Sequence, residues 1–147
     1  MLKILGRLSS VNVQKVVWCA DELGLQYERE DVGGKFGVND TPAYLAKNPN
    51  GLVPTIEEDG FVLYESNAIC RYLAARDPAG RLWPADVRER ADADRWMEWQ
   101  STSYTPAMTA IFWQLIRTPA EQRDPKAIEA SRTKCERLTG ILDRHLA

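Results

Sequence analysis

Histidine is almost missing from the chain. His145 stands alone near the C-terminus, so no histidine metal cluster or Cys/His nucleophile pair can be built, and a helix-terminal surface position is expected for it. Cysteine is scarce as well: Cys19, Cys70 and Cys135 form no CxxC, and their odd number argues against a disulfide framework. All three are expected in helices as small buried hydrophobes, in a reducing cytoplasmic setting. No apolar run is long enough to span a bilayer, and no secretory pattern follows Met1-Leu2-Lys3. A formal net charge of -2 supplies no basic field for nucleic acid or an anionic membrane. Internal repeats and low-complexity tracts are also lacking.

The 147 residues, 44% hydrophobic and 27% charged, have the composition of a soluble globular chain of one or two small domains. Leu2-Lys3-Ile4-Leu5 is a short apolar run ending at Gly6 and reads as a strand. From Asn12 to Leu23, Val13, Val16, Val17, Ala20 and Leu23 share one helical stripe, and Gly24 supplies the stop. Leu25 to Val32 reads as a second strand with Tyr27 turned inward. Gly33-Gly34-Lys35-Phe36-Gly37 is expected as a flexible loop, and Thr41-Pro42 as the cap and first residue of a short helix. Thr55-Ile56-Glu57-Glu58 and Phe61-Val62-Leu63-Tyr64 flank Asp59-Gly60, a strong hairpin signal. A helix then opens at Ser66 and runs to Arg76. The order β-α-β-α-β-β-α predicts a mixed sheet with helices against it.

Residues 78–85 read as a linker between a first domain, 1–77, and an all-helical region, 86–147. Trp96, Trp99 and Trp113 fall in a long helix that Pro106 should bend or break. Asp124-Pro125 caps another, with Ile128, Cys135, Leu138, Ile141 and Leu142 near heptad spacing. Two helices can hardly enclose a stable core, so this region is expected to be the start of a larger helical domain, inactive without the rest, with cover of its open faces by a partner chain as the alternative.

Two segments around the hairpin carry the chemistry. Leu52-Val53-Pro54 can present the backbone N–H and C=O of Val53 to a groove if the Val53–Pro54 bond is cis. Glu65-Ser66 places unpaired helix N-terminal N–H groups nearby, a site for a carboxylate. A strand-like backbone pair beside an anion hole suits an extended peptide with a free carboxylate.

In their order and spacing, behind an N-terminal strand–Ser–helix unit, these motifs resemble the glutathione S-transferase superfamily, in its bacterial serine type. The resemblance runs from Met1 to about Trp83 and more loosely to the C-terminus. It implies a thioredoxin-like first domain, glutathione as co-substrate and no metal. Ser10 would be the hydroxyl that donates to the glutathione sulfur, with Ser9 as the register alternative; Ser10 as a plain helix cap is the competing reading. Asn12 is either a second sulfur contact or an ordinary N-cap. Val53 would receive the cysteinyl part of glutathione, with Pro54 shaping the turn. Ser66 would bind the γ-glutamyl carboxylate, and Glu65 would help hold the opposite end of that zwitterion. For the glycyl carboxylate Lys35, Asn39 and Asn50 compete. Arg7, Tyr104 and Met108 are the electrophile-side candidates, with Ile111 and Phe112 beside them; Arg7 is otherwise a solvated surface arginine. The chain departs from several classes at Leu52, where a glutamine commonly precedes Val-Pro.

The resulting expectation is a cytoplasmic, homodimeric glutathione transferase that ionises the thiol of glutathione for attack on a small electrophile, with detoxification as its setting. Two alternatives stand beside it. One is a glutathione-dependent disulfide or glutathionyl reductase, although no CxxC lies at the Ser10 loop. The other is a non-catalytic binding module with the same fold.

Overall fold

A computed structural model describes residues 1–147, which divide into two compact units, Met1–Arg90 and Ala91–Ala147. The first unit holds a four-stranded sheet. β1 (Leu2–Leu5) lies between β2 (Tyr27–Glu30), with which it pairs parallel, and β3 (Thr55–Glu58), which runs antiparallel and pairs in turn with β4 (Phe61–Tyr64). The sheet order is β2-β1-β3-β4, the mixed sheet expected from the element order. Asp59 and Gly60 both adopt positive φ, 50° and 85°, as a two-residue hairpin turn between right-twisted strands requires.

Three helices flank this sheet: α1 (Val11–Glu22), α2 (Pro42–Leu45) and α3 (Ser66–Ala75). Leu5 packs with Val32 and Tyr44 of α2, with Val53 against them. Strand alternation sends Ile4 and its register partner Ile56 to the opposite face, and both are fully buried. Val13, Val16, Ala20 and Leu23 of the expected stripe are buried too, whereas Val17 is only half-buried. Each buried Val, Leu or Ile side chain contributes about 1.5–3 kcal/mol through burial. Gly24 closes α1 at φ 67°.

Several expectations need correction. β2 is four residues long rather than eight, because its tetrad Tyr27–Glu30 alternates half-buried and exposed on a sheet edge. Tyr27 does not enter the core; its hydroxyl donates to Asp21 at the surface. The glycine loop contains a 3-10 turn, Gly34–Phe36. Cys70 and Cys135 are buried in helices, but Cys19 remains partly exposed. No helix is long and apolar enough to cross a membrane.

The second unit is all-helical. It takes in most of α4 (Val87–Trp99), then a π-helical turn (Gln100–Tyr104), α5 (Thr105–Phe112), another π-helical turn (Trp113–Arg117) and α6 (Pro125–Leu146). The expected disturbance at Pro106 takes the form of the π turn just before it, since proline offers no N–H to the preceding turn. Asp124 caps α6 by accepting from Lys126 N–H at 2.9 Å. Ala107, Cys135 and Leu138 form a small core with Trp99, Tyr104, Ile111 and Ile141 packed around it. The buried Ser131 hydroxyl of α6 donates to the Ala107 carbonyl and accepts from Ile111 N–H, bridging into the α5 ladder. Phe112, Trp113, Leu115 and Ile116 stay exposed. His145 is exposed, its ring 4.3 Å from that of Trp96.

Candidate functional site

Strand register brings four loops to one end of the sheet. Leu5 at the end of β1 pairs with Glu30 at the end of β2 and with Thr55 at the start of β3; Thr55 in turn pairs with Tyr64 at the end of β4. The segments Gly6–Ser10, Val32–Gly34, Val53–Pro54 and Glu65–Ser66 therefore emerge side by side. A Cβ on Gly6 would lie 2.5 Å from Val13 Cγ2 and 3.3 Å from Val53 Cβ, so the β1–α1 turn, the first turn of α1 and Val53 are in close approach.

Helix polarity adds to this convergence. Lys15 Nζ donates to Asn67 Oδ1 at 2.5 Å, and further along Cys19 Sγ approaches the Cys70 carbonyl at 3.8 Å. Early residues of α1 thus meet early residues of α3, and later ones meet later ones, so the two helices run parallel. Their positive N-terminal ends lie at the same end of the sheet, each favouring a nearby anion by about 0.3–1 kcal/mol.

Ser10 is the N-cap of α1, with extended backbone and no hydrogen bond from its side chain to the helix. Its hydroxyl is not consumed by capping, and it is half-buried, whereas Ser9 is exposed in the turn. Asn12 is not the N-cap; it stands inside the first turn and is exposed. Gln14 reaches back to donate to the Leu8 carbonyl at 2.7 Å, and Arg29 donates to the Gly6 carbonyl at 2.9 Å, so both flanks of the loop are tied down.

The Val53 turn is rigid for a reason visible in its neighbours. Tyr44 Oη donates to the Leu52 carbonyl at 2.6 Å, and Asn48 Nδ2 donates to the same oxygen at 2.9 Å. Both side chains also reach Thr55 Oγ1, and all three residues are buried. Burial pushes the Tyr44 phenol above its ordinary pKa. Asn39 Nδ2 donates to the Gly51 carbonyl at 2.8 Å and Asn50 N–H to Asn48 Oδ1 at 3.1 Å, so Asn39 serves the turn. The Val53–Pro54 bond is cis, as the sequence suggested. No main-chain hydrogen bond within the chain takes up the Val53 N–H or C=O.

Ser66 opens α3 as expected and is buried, while the exposed Glu65 before it takes φ 70° and ψ 109°. Positive φ at a non-glycine residue is a local strain of a kind found at binding sites. Lys15, beside Glu65, has its ammonium pKa lowered chiefly by burial.

Arg7 is not a freely solvated side chain. A Cβ on Gly34 would stand 2.9 Å from Arg7 Nε, and one on Gly33 would stand 3.0 Å from an Arg7 terminal nitrogen. The two glycines, at φ 61° and 84°, leave the room that the guanidinium occupies. Lys35 follows on the same loop, exposed, with Nζ 5.0 Å from the Phe36 ring centre. Tyr104 and Met108 belong to the second unit: Tyr104 Oη is 3.2 Å from Thr139 Oγ1, and Met108 is exposed. Sequence reasoning missed the Tyr44–Asn48–Thr55 clamp and the Gly33-Gly34 cradle. Asn48 before Pro49-Asn50-Gly51 was a usable turn signal for the first; the second depends on a contact between distant loops.

Comparison with known proteins agrees with this architecture. Residues 9–76 match the family model described as glutathione S-transferase, N-terminal domain. The chain is 44% identical to glutathione S-transferase GstB of Escherichia coli, over 100% of this chain and 72% of that protein. It is 31% identical to a probable glutathione S-transferase, GSTF2, of Oryza sativa, over 99% of this chain and 69% of the relative. Among solved structures, the theta class glutathione S-transferase of Xanthomonas axonopodis pv. citri with glutathione bound superposes with TM-score 0.93 at 47% identity, covering 99% of this chain and 70% of that one.

Proposed function

We propose, from the premise that the chain belongs to the glutathione S-transferase family, that the sheet end described above binds glutathione and activates its thiol. The observation that carries this reading is the convergence of an unpaired Val53 backbone pair with two parallel helix N-termini, one bearing Ser10 and the other Ser66. Bound glutathione supplies the nucleophilic sulfur. The residues of the chain bind it, orient it and hold its charge.

Val53 N–H and C=O pair with an extended peptide in the manner of an added strand, and Pro54 keeps that edge turned outward. The Ser66 N–H and hydroxyl donate to the γ-glutamyl carboxylate at the α3 N-terminus, and Glu65 holds the ammonium end. Lys35 and Asn50 are the groups offered to the glycyl carboxylate. Ser10 donates its hydroxyl proton in a hydrogen bond to the sulfur. A free thiol titrates near about 8.5, and lowering that value by about two units takes roughly 2.7 kcal/mol of thiolate stabilisation. One charge-assisted hydrogen bond at about 1.5–3 kcal/mol, with the α1 dipole, reaches that sum. Arg7 adds positive potential at the mouth. A small electrophile is the second substrate and a homodimer the assembly in this reading.

The test is conjugation of glutathione to an aryl halide as a function of pH. Ser10→Ala should lower turnover at neutral pH by roughly ten- to a hundredfold and move the kinetic thiol pKa back towards the free value, with glutathione KM little changed. An unchanged rate and pH profile in Ser10→Ala, with both lost in Asn12→Ala, would transfer the role to Asn12. Conjugation undetectable in the unsubstituted protein, with glutathione still bound, would favour the binding-module reading.

A further inference from the structure

The convergence of α1 and α3 also juxtaposes two thiols that the transferase chemistry does not use. Cys19 and Cys70, 51 residues apart in sequence, meet where the helices pack. Cys19 Sγ lies 3.8 Å from the Cys70 carbonyl oxygen, and Cys70 Sγ lies 3.8 Å from the Lys15 carbonyl oxygen, one turn before Cys19. Each sulfur therefore reaches the main chain of the opposite helix, which brings the two thiols to the same point of the α1–α3 contact. Cys19 is partly exposed and Cys70 buried, which gives the pair an outer and an inner member.

We propose that Cys19 and Cys70 form a redox dithiol that a small disulfide, such as glutathione disulfide, oxidises to a covalent crosslink between α1 and α3. The outer thiol is the nucleophile. Cys19 loses its proton, and its sulfur attacks one sulfur of the small disulfide; the S–S bond of that molecule breaks and one thiol leaves carrying the proton. Cys70 then deprotonates and attacks the Cys19 sulfur of the mixed disulfide, expelling the second small thiol with the second proton. The protein loses two electrons and two hydrogens, and one disulfide becomes two thiols. Cys19 is accessible to a small disulfide, whereas the Cys70 thiol is shielded by burial. This asymmetry matches an attacking outer thiol and a resolving inner one. The crosslink would staple the two helices whose N-termini bear Ser10 and Ser66.

The experiment equilibrates the full chain, and a Cys135→Ser variant, with buffers of increasing glutathione disulfide to glutathione ratio. Remaining thiols are alkylated under denaturing conditions, and intact mass and proteolytic peptides are read. The proposal expects alkylatable thiols to fall from three to one in the unsubstituted chain, without retained glutathione, and a peptide pair joining Cys19 to Cys70. Cys70→Ser should instead stop with one glutathione held on Cys19. Two outcomes would overturn it: all thiols alkylatable at the most oxidising ratio, or a stable glutathione adduct on Cys19 while Cys70 is intact. Mapping in the unsubstituted chain keeps the test valid should Cys135→Ser fail to fold.

Discussion

Ser10, the N-cap of α1, and Ser66, the first residue of α3, stand at the N-termini of two parallel helices but are expected to divide the work. The Ser10 side chain makes no bond to its own helix, which leaves it available to a sulfur, whereas Ser66 is buried at the point where a carboxylate would meet α3. Ser66→Ala should therefore raise the KM for glutathione several-fold and leave the kinetic thiol pKa in place, because a carboxylate contact is equally strong in the ground and transition states. Steady-state kinetics at several pH values checks this; a shifted pH profile with unchanged KM would exchange the two roles. Ser10, Val53 and Ser66 were all visible as residues because each sits at a punctuation mark of the chain: a strand–helix junction, a proline turn or a helix start. Arg7 against Gly33-Gly34 and Cys19 against Cys70 were not visible. Their partners are brought close only by the strand crossover, and nothing in local spacing encodes that.

At the level of elements, the turn before β3 is held by Tyr44 of α2, which makes α2 a structural support for the Val53 edge. Tyr44→Phe should cost about 1 kcal/mol in denaturant unfolding at neutral pH, since the Leu52 carbonyl keeps Asn48 as a donor. The sign of the pH dependence follows from burial, which raises the folded-state phenol above its ordinary value of about 10. The unfolded chain releases the proton first, so the stabilisation is complete below a pH of about 10 and fades as pH climbs towards the folded-state value. Tyr44→Phe should flatten that alkaline decline; a variant as stable as the parent with the same decline would refute the clamp. The hairpin, α1, α3 and α6 were legible because turn chemistry, periodicity and caps agreed. β2 was overread because its flanks, Leu25 and Val32, are apolar for packing and lie outside the paired strand. The π turns around α5 could not be foreseen. Pro106 announces a disturbance, but its form depends on how Ser131 and the Trp99 cluster hold the helix.

At the scale of the whole molecule, the first unit contains the entire candidate glutathione site, from Arg7 to Ser66, together with its supporting clamp. The second unit is less completely packed: its buried core is three residues with a rim of half-buried side chains, and Trp113 is 57% exposed. The element order showed that the first half would be a mixed sheet with helices and the second all-helical. What it could not show was the shared sheet end, which needs the pairing of Leu5 with Glu30 and Thr55, and of Thr55 with Tyr64. The central claim is that one ligand engages the Val53 edge and both helix N-termini together. Backbone-amide NMR of the chain titrated with S-methylglutathione, which binds without reacting, tests it most directly. The account predicts that the amides of Val53, Ser66 and Val11-Asn12 shift along a single saturation curve with one dissociation constant. Shifts confined to other residues, with those amides unmoved at saturation, would contradict it.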